Sequence, residues 1–478
     1  MFFPRAVWTR IETEVHPSMR GGHQMCLDVE EQRAYLFGGW DGARDLADFW
    51  VYEIGNGAWR RLSPDTGAEG GPPARSCHKM CLDPGTRQLY VLGGQVDADA
   101  RAGGAGGAGL LSSADFYKYD LDSGTWHLIS ADTREDGGPE SLFDHQMVLD
   151  QEKQVIYVFG GRTPASLGNP ENNCSGLYSF DLRTGVWRLL RSDTNQPPDV
   201  VKLKGRHGHS MLFNDQRRCL YVFAGQRGKE YLSDWHVYDV DSDAVIEATK
   251  DYSRAGGPDV GFTQRATIDL ELEEVYVLSG LVRERTTAEE TAKNSLWRYD
   301  LRSGRWTRIY QNENVDAAYW AQMARLEPCP RFAHQFVYDH ANKVHYLFGG
   351  NPGDGESPLL RLDDFWRLRL ERPGRGDVLR QLRLQVKQLR FREMCSSSGT
   401  GTASVEALKY LQTEVSAAVN HADQAESLAF RSLASAVFQQ KTLTPEEVFE
   451  RRSAVFSRLL EFFPDSLREP RTSLVDLV

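Results

Sequence analysis

Imidazole binds metal ions and moves protons near neutral pH, so five histidines, His23, His78, His145, His209 and His334, are the residues whose type and spacing could do chemistry. Each stands sixteen residues before the second glycine of a Gly-Gly or Ala-Gly pair. A metal centre needs its ligands to converge on one point. A residue that recurs once per repeated unit instead stays in its own unit, and a shared structural role is expected for all five. No carboxylate pair is placed for acid–base work, no nucleophile lies beside a base, and no phosphate-cradling glycine loop opens a helix. No catalytic residue, metal or cofactor is expected.

The spacing of the histidines comes from the elements that carry them. Gly38-Gly39, Gly93-Gly94, Gly160-Gly161, Ala224-Gly225, Ser279-Gly280 and Gly349-Gly350 each follow a short apolar, aromatic run that reads as a buried strand. Gln264 takes the histidine position in the fifth copy. Arg20, Arg75, Arg206 and Arg331 precede the histidine by three residues, while Leu142 and Gly261 break that pattern. A second strand follows each diglycine, centred on Tyr52, Tyr119, Phe180, Tyr238, Tyr299 and Leu368. Seven residues further on stand Trp59, Trp126, Trp187 and Trp306, with Val245 in the fourth copy and no tryptophan in the sixth.

A unit of about sixty residues with four short strands, a diglycine and a spaced Tyr and Trp resembles the Kelch repeat, which builds β-propellers. The expected fold is mainly β: a six-bladed Kelch β-propeller over residues 1–370, followed by a small α-helical C-terminal region over 371–478. Trp8-Thr9-Arg10-Ile11 repeats Trp306-Thr307-Arg308-Ile309, so an N-terminal strand is expected to complete the sixth blade and close the ring.

Antiparallel strand order puts two kinds of connection at opposite ends of a blade. One kind is short, as in DSGT, GNGA and Asp83-Pro84-Gly85; the other carries the Gly/Ala tract 101–110 and the stretches 162–176, 282–294 and 311–330. Loops on a rigid scaffold are where recognition usually sits. The candidate partner-binding residues are therefore those just past the diglycine, Trp40, Gln95, Arg162, Gln226 and Asn351, which would otherwise only cap strand ends. The turn Asp122-Ser-Gly124-Thr-Trp126 is similar to the Asp-box of sialidases, but it is one residue short, and tight turns select Asp and Gly in any case.

After Leu370 the pattern becomes helical. Leu382, Val386 and Leu389 fall at helical spacing among Arg380, Arg383, Lys387 and Arg390, a candidate assembly helix whose basic stripe would otherwise be a solvated face. Further helices are expected at 404–419 and 424–440, and from Thr444-Pro445-Glu446-Glu447, which has the form of a capping box, to Phe462-Phe463-Pro464. No run is long and apolar enough for a membrane span, and Trp8, Thr9 and Arg10 interrupt what would be a signal sequence, so the mature chain is expected to begin near Met1. Seven scattered cysteines without CxxC pairs favour reduced thiols, hence a cytoplasmic or nuclear location. A net charge of −11 argues against general nucleic-acid binding.

Several stretches are not dictated by a propeller: LFGGWDGARDLADFW (36–50), ARSCHKMCLD (74–83), GFTQRATID (261–269), EPCPRFAHQFVYD (327–339), KVHYLFGGNPG (343–353), RLDDFW (361–366), ALKYLQ (407–412), FFPDS (462–466) and the terminal SLVDLV. They resemble the muskelin family over nearly the whole chain. The resemblance implies a non-catalytic, protein-binding subunit of a multisubunit RING-type ubiquitin ligase, the CTLH complex, with other ligase subunits, recruited substrate or cargo as partners, and oligomerisation possible. Its alternative is a ubiquitin-independent adaptor for cytoskeleton or vesicle cargo in cell spreading and receptor trafficking. The family's discoidin-like, LisH and CTLH parts find no counterpart here, so a short form is expected, attached through its tail.

Overall fold

The computed structural model describes residues 4–97, 110–140, 142–163, 174–193, 201–278, 280–283, 290–372, 374–396, 401–421, 424–435 and 444–460. The Gly/Ala tract at 101–109, the middle of 162–176, residues 284–289, Ser279 and the terminal FFPDS and SLVDLV lie outside them. Two compact units are present, Ala6–Leu370, and Glu371–Val478 with Met1–Arg5.

The first unit holds six four-stranded antiparallel sheets. Their first strands are Gln24–Asp28, Lys79–Asp83, Gln146–Asp150, Ser210–Asn214, Arg265–Asp269 and Gln335–Asp339. Each first strand touches those of the copies before and after it, and the sixth touches the first, so the sheets surround a central channel as propeller blades. Apolar second strands such as Val155–Phe159 and Cys219–Phe223 are buried nearly throughout, because both faces of a blade are covered by neighbours.

Aromatic residues link each sheet to the one before it. Trp59 lies opposite Tyr52 in its own sheet and packs on Phe348 and Phe365 of the sixth, with ring centroids 5.7 and 5.2 Å apart. Trp126 meets Phe49, Trp187 meets Phe116, and Trp306 meets Trp235 in the same way. The sixth sheet is built from Gln335–Asp339, Val344–Gly350, Leu362–Glu371 and, at its outer edge, Arg5–Ile11. Trp8 on that edge strand reaches Tyr310 of the fifth sheet at 6.4 Å and Trp366 of its own at 6.5 Å, filling the place that the sixth copy leaves open.

At the end of the tight turns a polar belt joins the copies. Asp28, Asp83, Asp150, Asp269 and Asp339 close the first strands and are fully buried. Each caps its own turn, as when Lys153 N donates to Asp150 at 3.0 Å. Each also takes a side chain from the next copy: Arg87 pairs with Asp28 at 3.8 Å, Gln154 donates to Asp83 at 2.8 Å, Arg218 to Asp150 at 2.5 Å, Lys343 to Asp269 at 2.9 Å, and Gln32 to Asp339 at 3.1 Å. The fourth copy has Asn214 at this position, and there Arg217 reaches forward to Glu273 instead, at 2.6 Å.

The helical unit contains α2 (Arg375–Ser396), α3 (Gly401–Tyr410), α4 (Gln424–Leu433) and α5 (Pro445–Leu460); α1 (Ala317–Met323) belongs to the first unit, in the stretch 311–330. Thr444 and Glu447 exchange reciprocal bonds of 3.0 and 3.2 Å at the start of α5, the capping box read from the sequence. After α3 the chain widens into a π-helical turn over Leu411–Val415 and then tightens into a 3-10 turn over Ser416–Ala418, rather than continuing as one α-helix to 419.

Candidate interaction face

The end of the propeller opposite the tight turns is framed by the main chain. The residue before each repeat histidine or Gln264 has a left-handed backbone: Gly22, Cys77, Asp144, Gly208, Thr263 and Ala333, with φ between 53° and 66°. Five of the six N–H groups meet the carbonyl at the same position in the preceding copy. The links are Gly22 to Ala333 (2.9 Å), Cys77 to Gly22 (2.8 Å), Asp144 to Cys77 (3.0 Å), Gly208 to Asp144 (3.0 Å) and Thr263 to Gly208 (2.9 Å). Four of the six are not glycine, and the ring of bonds holds them in a conformation that L-residues seldom adopt.

The five histidines are wedges between blades. Their rings are fully buried, and Phe37 and Phe159 of the preceding copies meet His78 and His209 at 5.0 and 5.2 Å. Burial, followed by the charges of nearby arginines such as Arg75 and Arg206, holds the His78 and His209 pKa values well below the usual range, so both are neutral. They stand in separate sheets, and among the described residues no group of His, Cys, Asp or Glu is arranged to hold a metal. The diglycines make room for this junction: a Cβ on Gly38 would lie 2.7 Å from the Arg75 carbonyl oxygen of the next copy.

Behind the ring lie four buried ion pairs that the sequence reading missed. Arg20 grips Asp48 with two bonds of 2.7 and 2.8 Å, and Arg75–Asp115, Arg206–Asp234 and Arg331–Asp364 repeat the fork. Each arginine also donates to the carbonyl of the first residue of its diglycine, as Arg75 does to Gly93 at 2.9 Å. Burial raises the Asp48 and Asp364 pKa values, but the arginines outweigh it and both carboxyls end below the ordinary range. Each aspartate stands four residues before the third-strand aromatic or Leu368, and Gly176 and Ser295 occupy that position in the two copies that lack the arginine. The pair is therefore present or absent as a unit, and counting back from the aromatic would have found it.

The residues past the diglycine lie on this frame at equivalent places. Trp40, Gln95, Arg162, Gln226 and Asn351 form main-chain bridges with Gly21, Ser76, Phe143, His207 and Phe332. The fifth copy, passed over in the sequence reading, has Leu281 there, paired with Phe262. The bridges fix the backbone while the side chains differ. Arg361 lies over the Trp40 ring at 4.5 Å, Arg162 Nε donates to His207 Nε2 at 3.1 Å, and Gln226 donates to the Gly228 carbonyl at 3.0 Å. Asn351 is turned back to accept from Gly353 N at 2.8 Å. A circle of varied side chains, four half-buried and Asn351 buried, on a repeated scaffold can present a specific surface; it offers no nucleophile paired with a base.

In the helical unit, α2 buries Leu384, Phe391 and Cys395 against Ala407, Leu411 and Val415. Leu382 and Leu389 are only half-buried and Val386 is 50% exposed, so the stripe singled out from the sequence is not the one this unit packs inside itself. Much of the basic face is engaged locally: Arg380 takes Glu426 at 2.9 and 3.1 Å, Lys387 takes Glu414 at 2.9 Å, and Arg390 lies over Tyr410. Arg383 is exposed.

A family model described as the KLHDC2/KLHL20/DRC7 Kelch-repeats domain matches residues 4–135 and 86–315. Among curated proteins, the chain is 27% identical over 475 residues to Mei4-dependent protein 6 of Schizosaccharomyces pombe, covering 96% of this chain and 62% of that protein. It is 30% identical over 197 residues to human Multiple epidermal growth factor-like domains protein 8, covering 40% of this chain and 6% of that protein. It is also 26% identical over 222 residues to an N-(sulfonatooxy)prop-2-enimidothioate sulfolyase of Thlaspi arvense, 46% of this chain and 56% of that protein. The chain thus spans less than two thirds of each of these relatives.

Proposed function

Because this chain belongs to the Kelch-repeat family, we propose that it is a non-catalytic protein-interaction scaffold whose partner surface is the loop end of the propeller. The observation that carries this reading is the circle of Trp40, Gln95, Arg162, Gln226 and Asn351: equivalent bridged backbones with unlike side chains, as a recognition surface requires and a purely structural ring does not. Kelch propellers are typically interaction modules, and the sulfolyase relative shares less than half of this chain.

The finer reading rests on the muskelin-like peptides. The protein would recruit or position substrates within a RING-type CTLH ubiquitin ligase, in the cytoplasm or nucleus, with residues 1–370 binding partner and 371–478 attaching to the complex. The exposed flank of α2, with Val386 at 50% exposure and Arg383, supplies a surface for that attachment. Affinity purification of the full chain and of a form lacking 371–478, followed by mass spectrometry, tests it. RING-ligase subunits recovered with the full chain alone support the reading. Cytoskeletal or motor proteins without ligase subunits would move the assignment to a ubiquitin-independent adaptor.

A further inference from the structure

The position after the repeat histidine or Gln264 makes a second belt around the channel, inside the loop end. Its residues are Gln24, Lys79, Gln146, Ser210, Arg265 and Gln335. Four of them donate to the main-chain carbonyl at the next copy's histidine or Gln264 position: Gln146 to His209 (2.5 Å), Ser210 to Gln264 (3.3 Å), Arg265 Nε to His334 (2.8 Å) and Gln335 to His23 (2.7 Å). Neutral amides and a hydroxyl make three of these four bonds. Two cations are more than closure needs.

Lys79 and Arg265 belong to the second and fifth copies of a six-membered cycle, so they face each other across the channel. Lys79 is 7% exposed, and no hydrogen bond or ion pair engages its ammonium among the described residues. Arg265 spends only Nε on a carbonyl, and no carboxylate lies within ion-pair distance of its guanidinium among the described residues. The one acid bearing on both is Asp144, which also bears on the Cys77 thiol. The remaining titratable neighbours are neutral: burial pushes Cys26 up to about 12 and Cys77 well above its ordinary value, and holds His78, His145 and His209 low. Asp45 bears on Cys77. Below the lowered Lys79 pKa of about 7, two cations against the shared carboxylate leave a positive charge at a buried place on the belt, where an unpaired charge is costly.

We infer that Lys79 and Arg265 form a binding site for a single compact carboxylate in the loop end of the channel. The ammonium offers a point charge, and the free edge of the guanidinium offers a two-pronged donor that matches a carboxylate. A small free carboxylate and the side-chain carboxylate of a bound partner's Asp or Glu present the same chemistry. The site follows from the belt geometry and does not depend on the scaffold assignment.

The test titrates the full chain, at constant ionic strength near pH 6.5, with sodium formate and separately with the blocked tripeptide acetyl-Gly-Glu-Gly-amide, reading the Lys79 ammonium by NMR and binding by calorimetry. Saturable binding of formate, weakened at least about tenfold by Lys79→Gln and by Arg265→Gln, is the expected result. Both variants install the residue that the first, third and sixth copies already carry, so the belt is kept. Binding of the tripeptide as well assigns the site to a partner's side chain; binding of formate alone assigns it to a free carboxylate. No saturable response to either probe in the unmutated protein, or unchanged formate affinity in both variants, overturns the inference.

Discussion

At the turn end of the channel, five buried aspartates are each answered by a side chain from the next copy. At the loop end, Lys79 and Arg265 share Asp144, and neither forms an ion pair with it. At the turn end the aspartates serve mainly to join one copy to the next, although Asp28 Oδ2 keeps only the long 3.8 Å pairing with Arg87. The loop end is joined by main-chain bonds and by side chains that need only one donor each, so charge and rim residues can differ from copy to copy. Closure and recognition are thus assigned to opposite ends of the same strands.

The largest expected effect lies behind the loop end. Arg75→Leu strands Asp115 in a buried site and should cost about 3–5 kcal/mol of unfolding free energy by denaturant titration. Adding Asp115→Gly recreates the third copy's Leu142 and Gly176 and should recover most of that loss. No recovery would mean that the ion pairs, not only the satisfied belts, decide stability. At the turn end, Asp150→Ala removes a buried acceptor for Lys153 N and Arg218 and should cost about 1.5–3 kcal/mol. A loss below ~0.5 kcal/mol would undo the contrast between the ends.

Proton linkage gives a smaller, signed effect. Burial, then Arg265, lowers the Lys79 pKa to about 7, so between that pH and the ordinary lysine range the unfolded chain binds a proton the folded one does not. Stability should rise with pH across that window, and Lys79→Gln should flatten the rise. Below the ordinary histidine range, five buried neutral histidines give the unfolded state the proton excess, and stability should fall as pH falls. His145→Gln, which copies Gln264, should make that fall shallower in pH-dependent thermal scans. The smallest effect belongs to the rim: Gln95→Ala and Gln226→Ala should change stability by no more than about 0.5 kcal/mol while weakening partner capture.

The repeat made most of the fold legible. A histidine sixteen residues from a glycine, found in five of six copies, fixes sheets whatever the loops between them do, and the duplicated Trp-Thr-Arg-Ile located the closing strand. The arginine partners were harder to see because they lie 28 to 40 residues downstream, across loops of unequal length. Lys79 and Arg265 were hidden for the opposite reason. They sit beside the most conspicuous residue of the repeat, and only the closed cycle shows that they face each other. On α2, spacing alone offered two apolar stripes, and tertiary packing chose Leu384, Phe391 and Cys395 over Leu382, Val386 and Leu389.

The strand Arg5–Ile11 precedes every other strand of the propeller in the chain, and the strand that pairs with it is the last. Its partner, Leu362–Glu371, is synthesised roughly 20 to 70 s later at ~5–20 residues per second. During that interval the nascent chain carries an apolar ribbon with Trp8 unsheltered and no edge to pair with. Arg5 and Arg10, near the two ends of the ribbon, are the kind of charge that keeps a waiting strand from joining the wrong sheet.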